Sequence, residues 1–167
     1  RGTYIAQSAL GVGEHLTETL EQALDHPGPA LLHVHAPSPA RHGFHTARTL
    51  ERARTAVAAR VFPLFRYHPK REGVFGSRID LDGNPDPFQL WAGDSESGSQ
   101  TLAHWALGEA RFAELFTPLD DEDPAQIPFA ELFALEATGR TGKIPFVSQA
   151  DNGSEPRRLR VNHELVR

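Results

Sequence analysis

The chain contains 167 residues, which suits one domain with a small extension and excludes a large multi-domain enzyme acting alone. Hydrophobic residues make up 39% and charged residues 23%, a composition typical of folded globular proteins, and the net charge is -5. The sequence has no Cys, which excludes disulfides, a thiol nucleophile and Cys-ligated zinc or iron–sulfur clusters within this chain.

Residues 1–69 alternate between predicted strands and helices. The predicted elements are a strand over 3–8, a helix over 12–25, a strand over 30–36, a helix over 50–61 and a strand over 61–67. The nearly continuous apolar run over 30–36 indicates a strand covered on both faces. We therefore predict an α/β fold with a partial parallel sheet of three strands joined by crossover helices. Such a sheet needs further strands, or another chain, to complete its open edge.

The second half of the chain has a different character. Residues 70–100 are rich in Gly, Pro, Asp and Ser, which predicts a surface loop or linker. Residues 101–167 form an irregular, acidic, helical and hairpin extension, in which Thr101 is the predicted N-cap of a helix over 102–116. A short helix over 129–135 and a hairpin joining 146–148 to 159–161 complete it.

Charge is separated along the chain, with a net +7 over residues 41–78 and a net -12 over residues 79–136. Solvated faces are the simplest explanation of both stretches. The basic stretch does not predict a nucleic-acid partner, because the rings of Phe62, Phe65 and Tyr67 lie in an apolar run of core type. Base stacking needs exposed rings.

The sequence predicts a cytoplasmic protein that binds no membrane, since no apolar run reaches the length of a span and no signal peptide pattern begins the chain. Position 1 is Arg and the sequence has no Met. We therefore expect the chain to be a fragment, completed by the remainder of a parent polypeptide or by a partner subunit.

Four histidines are the densest set of possible metal ligands: His33, His35, His42 and His45. Residues two apart on a strand share a face, so the first two could hold one ion while the loop histidines complete its shell. Their spacing matches no standard zinc signature, and the stretch contains no carboxylate. We expect histidines satisfied by hydrogen bonds and no metal, and keep a His-based metal-binding protein as an alternative.

The Gly11-Val12-Gly13 segment is similar to the start of a dinucleotide-binding loop, because it follows a predicted strand and precedes a predicted helix. Leu16 stands where the third Gly of that motif belongs, and the sequence has no Walker Lys. The segment is better interpreted as a strand-to-helix turn.

Four segments, taken in order, resemble the C-terminal stretch of the pyruvate:ferredoxin (flavodoxin) oxidoreductases, a 2-oxoacid:acceptor oxidoreductase family. They are Thr3–Gln7 (TYIAQ), Pro27–Leu32 (PGPALL), Arg41–Gly43 (RHG) and Phe62–Pro69 (PLFRYHP after Phe62). The resemblance covers about residues 2–69, with weaker similarity at Phe88–Leu90 and Arg111–Phe112. It identifies residues 1–69 as the C-terminal portion of a thiamine-diphosphate-binding domain of a divergent member.

The resemblance implies an enzyme that oxidatively decarboxylates a 2-oxoacid with CoA and a low-potential electron acceptor, ferredoxin or flavodoxin. It also implies a homodimer of the complete protein, with thiamine diphosphate and Mg²⁺ as cofactors. The family's diphosphate-binding Gly-Asp-Gly motif and its downstream Asn do not occur here in working order. We therefore expect this chain to be catalytically incomplete alone, and assign no catalytic residue.

In this family the loop after the second strand supplies a Cys to an iron–sulfur cluster, and Ser38 or Pro39 stands at that position here. A cluster here would lack that ligand, take another type such as His42, or be absent altogether, and we expect absence or an altered electron route. Because the loop follows the C-terminal end of a strand, Ser38, Arg41 and His42 are the candidate cofactor-side residues. A non-catalytic binding or assembly module on the same fold is the remaining alternative.

Overall fold

A computed structural model describes residues 2–71, 78–88, 100–119, 124–149 and 156–165. The strands there are β1 (Tyr4–Ala9), β2 (Ala30–His35), β3 (Phe65–Tyr67), β4 (Ile79–Asp80), β5 (Phe116–Pro118), β6 (Gln126–Pro128), β7 (Ile144–Gln149) and β8 (Arg157–Val161). The α-helices are α1 (Gly13–Asp25), α2 (Pro39–His42), α3 (Thr49–Ala58), α4 (Leu102–Leu107) and α5 (Phe129–Leu132). The strands form two mixed sheets, so the chain has an α/β fold. No helix of these residues is long and apolar enough to span a membrane.

The first sheet has the strand order β2-β1-β3-β4. Strands β1 and β2 are parallel, with Tyr4 opposite Ala30 and Ala9 opposite His35, and α1 connects them as predicted. A short link joins β1 to α1, and the Pro27-Gly28-Pro29 segment ends α1 before β2 begins. The chain therefore returns to the sheet as a crossover connection between two parallel strands.

The third strand is antiparallel to β1, so the prediction of three parallel strands was wrong. Gln7 lies opposite Phe65 and Ile5 opposite Tyr67. The reason lies in the path of α3, which crosses the end of β1 instead of returning along the sheet. A Cβ on Gly11, just after β1, would lie 2.3 Å from the backbone N of Arg54 and 2.7 Å from the carbonyl oxygen of Leu50. The chain therefore leaves α3 at the edge where β1 ends.

A tight turn after α3 also shortens the predicted third strand. Arg60 adopts a positive φ of 58°, and the N–H groups of Val61 and Phe62 both donate to the carbonyl of Ala56. Both bonds therefore end on one carbonyl of the last helical turn. Residues 61–64 therefore belong to the helix end and its exit, and β3 begins at Phe65.

The segment predicted as a surface loop or linker contributes to the first sheet. Strand β4 pairs with β3, with Arg66 opposite Asp80. Farther along, the N–H of Leu64 donates to Asn84 Oδ1 at 2.7 Å, and Asn84 Nδ2 donates to the carbonyl of Leu64 at 2.7 Å. Residues 78–84 are thus packed onto the sheet, while 72–77 and 89–99 lie outside the described residues.

The second sheet has the order β5-β8-β7-β6 and confirms the predicted hairpin, because β7 and β8 are antiparallel. The turn that joins them falls outside the described residues. The Thr101 side chain accepts a hydrogen bond from the His104 N–H, which confirms the predicted N-cap. The helix is shorter than predicted, since α4 ends before Gly108 and a 3₁₀ helix over 110–115 follows.

Helix α4 connects the two sheets through a shared apolar core. Ala56 and Ala59 of the α3 end pack with Trp105 and Ala106. On the other side, Ala103 packs with Phe129 of α5 and with Val147 and Val161 of the second sheet. The extension is therefore packed against the first sheet's helices.

Strand β2 is less covered than predicted. Leu31 is 58% exposed, and Ala30 and His33 are also exposed. On the neighbouring α1, Leu20 is 46% and Leu24 is 85% exposed. Within the described residues β2 pairs with β1 alone, so its other edge is open.

Candidate functional site

The loop after β2 lies at the carboxyl edge of the parallel pair, where open α/β sheets bind ligands. It begins with the buried Pro37 and forms the single turn α2. Gly43 ends the turn with φ 73°, and its N–H donates to the carbonyl of Pro39 at 2.9 Å. A Cβ at Gly43 would lie 2.5 Å from Cβ of Ala110. This glycine therefore permits both the left-handed cap and the close approach of the segment after α4.

Of the three predicted cofactor-side residues, His42 makes the side-chain contact that anchors the loop. Its Nδ1 lies 3.6 Å from Oε1 of Glu109, whose side chain is fully buried. Arg41 is exposed, and Ser38 caps α2 through its backbone, because its carbonyl accepts from the His42 N–H.

Glu109 is held from its other side by Arg111. The Arg111 guanidinium donates through Nε at 2.7 Å and Nη2 at 2.6 Å to Oε2 of Glu109. The same guanidinium lies 4.5 Å from the centre of the Phe112 ring. At 3.6 Å the Glu109 Oε1 to His42 Nδ1 contact is longer than a hydrogen bond, and neither atom has a hydrogen-bond partner among the described residues.

His35, the last residue of β2, lies beside this pair and stacks on Phe62 with ring centres 4.8 Å apart. Burial lowers the pKa of His35, although the Glu109 carboxylate opposes that shift. We refer to His35, His42, Glu109 and Arg111 as the His42 cluster. In it, one oxygen of a buried carboxylate is paired with arginine and the other faces the His42 imidazole, an arrangement that can orient the ring.

Of the four histidines considered as metal ligands, His33 and His45 have side-chain hydrogen bonds as expected, whereas His35 Nε2 and His42 Nδ1 have none among the described residues. His33 Nδ1 lies 3.0 Å from Oε1 of Gln7, and His45 Nδ1 accepts from the Ala47 N–H at 3.2 Å. His33 and His35 both contact the Phe62 ring, as their shared strand face predicts. No three His, Cys, Asp or Glu side chains of the described residues are placed to hold a metal ion.

Glu109 and Arg111 were missed as site residues in the sequence. They lie more than sixty positions after His42, in what the apolar spacing predicted to be one continuous helix. The available signals were Gly108, which interrupts that helix, and the weak family similarity at Arg111–Phe112. Neither indicates which loop the carboxylate contacts.

Sequence comparisons find related proteins over much of the chain, although no protein-family profile matches it. A protein of Escherichia coli (strain K12) named "Probable pyruvate-flavodoxin oxidoreductase" is 30% identical over 113 residues, and the pyruvate-flavodoxin oxidoreductase of Klebsiella pneumoniae is 35% identical over 115. Each match covers 67% of this chain but only 8% and 9% of those proteins. The pyruvate synthase subunit PorB of Methanosarcina barkeri (strain Fusaro / DSM 804) is 32% identical over 62 residues, which are 37% of this chain and 21% of PorB.

The chain thus spans less than a tenth of the two oxidoreductases it matches. The chain is a divergent member of the pyruvate:ferredoxin (flavodoxin) oxidoreductase family.

Proposed function

We propose that this chain is a cofactor-side part of an oxidoreductase that decarboxylates a 2-oxoacid oxidatively, with CoA as acyl acceptor and ferredoxin or flavodoxin as electron acceptor. The observation that carries the proposal is the anchored loop after β2, which holds His42 against buried Glu109 at the carboxyl edge of a parallel pair. The names of the related oxidoreductases support the reaction class.

The chain is not active alone in this proposal, and residues 1–69 are the C-terminal portion of a thiamine-diphosphate-type domain. A Mg²⁺-bound diphosphate needs several oxygen ligands. In this family the Gly-Asp-Gly motif and a downstream Asn hold the diphosphate, and this chain does not contain that set in working order. We place the groups that hold thiamine diphosphate and Mg²⁺ in the rest of the enzyme.

The rest of the enzyme, in the same polypeptide or a partner subunit, covers β2 and α1. Support comes from the open edge of β2 and the exposed side chains of Leu20, Leu24 and Leu31. Exposed leucines beside an unpaired strand are typical of a surface that another element covers. We propose that the complete protein is a cytoplasmic homodimer, as in the family resemblance.

His42 acts as a positioning residue for the cofactor-side loop. The test is His42→Ala in the complete protein, assayed for CoA-dependent oxidation of a 2-oxoacid by a low-potential acceptor. We expect kcat to fall by about tenfold or more, the lower range for a lost acid–base or orienting group. His26→Ala is the control, because His26 bonds to the Gly2 carbonyl at the far end of the sheet. Equal rates for both variants and the wild type would remove His42 from the site.

The second candidate is a non-catalytic assembly module on the same fold. The observation that favours it is the absence of Cys, which leaves Ser38 or Pro39 where the family's loop supplies a cluster ligand. A complete protein that assembles stably yet oxidises no 2-oxoacid with any low-potential acceptor would support this candidate over the enzyme.

A further inference from the structure

A cleft of about 750 Å³ lies between α3, the residues after α2, the end of α4 and the end of β7. Its basic side chains are His45, Arg48, Arg52 and His104, and Gln149 lies at its β7 side. We call it the Arg52 cleft. None of these side chains belongs to the His42 cluster. The volume of the cleft is in the range of small-molecule binding sites.

Arg52 is the unusual residue of this cleft. It is only 3% exposed, and it donates no hydrogen bond to any group of the described residues. Its guanidinium occupies the space that a side chain would fill at Gly108, because a Cβ there would lie 1.2 Å from Nη1. The absence of a side chain at Gly108 thus makes room for a buried guanidinium beside the cleft.

Arg66, which is also buried, shows the hydrogen bonds that a buried guanidinium normally makes. Arg66, 4% exposed, donates to Thr19 Oγ1 at 3.0 Å, Glu18 Oε2 at 2.6 Å, Asp80 Oδ2 at 3.2 Å and the carbonyl of His15 at 3.3 Å. A guanidinium stays charged and carries five donors, so a buried one without acceptors is costly. Arg52 has the same burial as Arg66 and none of its partners.

The nearby carboxylates are engaged elsewhere. Glu51, on the cleft wall, accepts from Arg48 through both oxygens, at 3.0 and 2.6 Å. Glu109 is paired with Arg111 and faces His42 with its other oxygen. Both carboxylates therefore have cationic partners other than Arg52, whose donors remain available to an external acceptor.

We propose that the Arg52 cleft binds a small molecule through an oxyanion, a phosphoryl or carboxylate group, with the Arg52 guanidinium as its main donor. The planar fork of arginine matches two oxygens of either group. His104 contributes an imidazole to the same wall, and burial lowers its pKa. The neutral His104 imidazole can therefore donate a hydrogen bond to the ligand without adding positive charge to the cleft.

The test is calorimetric titration of the full 167-residue chain with inorganic phosphate and, separately, with acetate, at constant ionic strength. We expect saturable binding of at least one anion with a Kd on the order of 1 mM. Phosphate alone would assign a phosphoryl ligand and acetate alone a carboxylate. Saturation by neither would overturn the proposal.

Two variants locate the binding. Arg52→Lys removes the fork and keeps the charge, and we expect it to weaken binding about tenfold. Arg54→Lys is the matched control on the same helix, since Arg54 donates to the Gly11 carbonyl outside the cleft, and it should leave Kd unchanged. Equal Kd values for the wild type and Arg52→Lys would mean adventitious binding and would overturn the assignment.

If Arg52→Lys fails to fold, two further measurements still test the proposal: anion binding to Gly108→Ala and NMR spectra of the wild-type chain. The added methyl displaces the guanidinium, so we expect about the same tenfold loss, while φ of -77° at Gly108 accepts Ala. In the wild-type chain, the anion should shift the His104 and His45 ring signals with one Kd and leave His26 unchanged. Shifts confined to other residues would contradict the proposal. Neither measurement involves turnover, so failure here is distinguishable from failure of the proposed oxidoreductase function.

Discussion

The side chain of Arg66 connects three elements, β3, α1 and β4. It lies on β3 and reaches α1 through Thr19 and Glu18, and β4 through Asp80. The arginine belongs to the Phe62–Pro69 segment that carries the family resemblance. That segment therefore has a structural role that its similarity alone does not indicate.

Asp80 provides the test of this network. Burial alone would raise the pKa of Asp80, but hydrogen bonds from the Asp82 N–H and the Arg66 guanidinium hold it below its usual value. We expect Asp80→Asn to lower the free energy of unfolding by about 1–3 kcal/mol at neutral pH. The native state binds the Asp80 proton more weakly than the unfolded chain, so this stabilisation is present above the unfolded pKa of about 3.9 and disappears as pH falls through the folded pKa.

Urea unfolding of the wild type and Asp80→Asn across the acid range measures both effects. Asp82→Asn is the control, because Asp82 contributes its backbone N–H, which the substitution keeps. A loss in Asp82→Asn equal to that in Asp80→Asn, or one independent of pH, would exclude the ion pair as the cause.

At the scale of elements, the packing of α3 across the end of β1 determines the direction of β3. Gly11 lies at that contact, where an added Cβ would be 2.3 Å from the Arg54 backbone, whereas a Cβ on Gly13 would meet nothing within 4 Å. We expect Gly11→Ala to destabilise the fold by about 1–3 kcal/mol, as overpacking does, and Gly13→Ala to be neutral or slightly stabilising. Thermal unfolding of the two variants decides this, and equal effects would contradict the close contact.

The sequence predicted most elements of the first 69 residues and the parallel pairing of β1 with β2, but not the direction of β3. Periodicity located β1, α1, β2 and α3 within a few residues, because each has its own apolar pattern. Strand direction depends on whether α3 returns along the sheet, and that follows from its contact at Gly11, which no local pattern contains. The short strands β4, β5 and β6 have two or three residues each, too few for a detectable period.

For the candidate site, the position of the loop could be predicted from the sequence, but its long-range contacts could not. The loop after β2, which contains His42, lies at the sheet's carboxyl edge as strand order predicts, while the contact of His42 with a cofactor stays a prediction. Its buried partner Glu109 could not be found, because the contact joins segments far apart in sequence. Likewise, the buried state of Arg52 follows from Gly108, whereas helical spacing assigns that arginine to the surface.

For the whole molecule, the family assignment does not depend on the direction of β3. The parallel sheet was predicted from the alternation of strands and helices, and the antiparallel β3 contradicts that prediction. The matches of 30% and 35% identity cover 67% of the chain and support the family through the sequence itself. The structure adds that the second sheet packs on α4 and, through it, on α3.

Stability of the whole chain should fall as the solution becomes mildly acidic. Burial lowers the pKa values of His15, His35, His68 and His104. The unfolded chain therefore binds more protons than the native state as pH falls below about 6.5, the ordinary histidine pKa. We expect the free energy of unfolding to be lower at about pH 5.5 than at pH 7.5 by more than about 1 kcal/mol. Urea titrations at both pH values measure this, and equal or greater stability in acid would contradict it.

We propose that this chain supplies the cofactor-side loop of an oxidoreductase without holding the cofactor itself. Calorimetric titration with thiamine diphosphate and Mg²⁺, of the isolated chain and of the complete protein, tests it most directly. We predict saturable binding by the complete protein and none by the isolated chain. Saturation of the isolated chain with a Kd of about 10 µM would contradict this account.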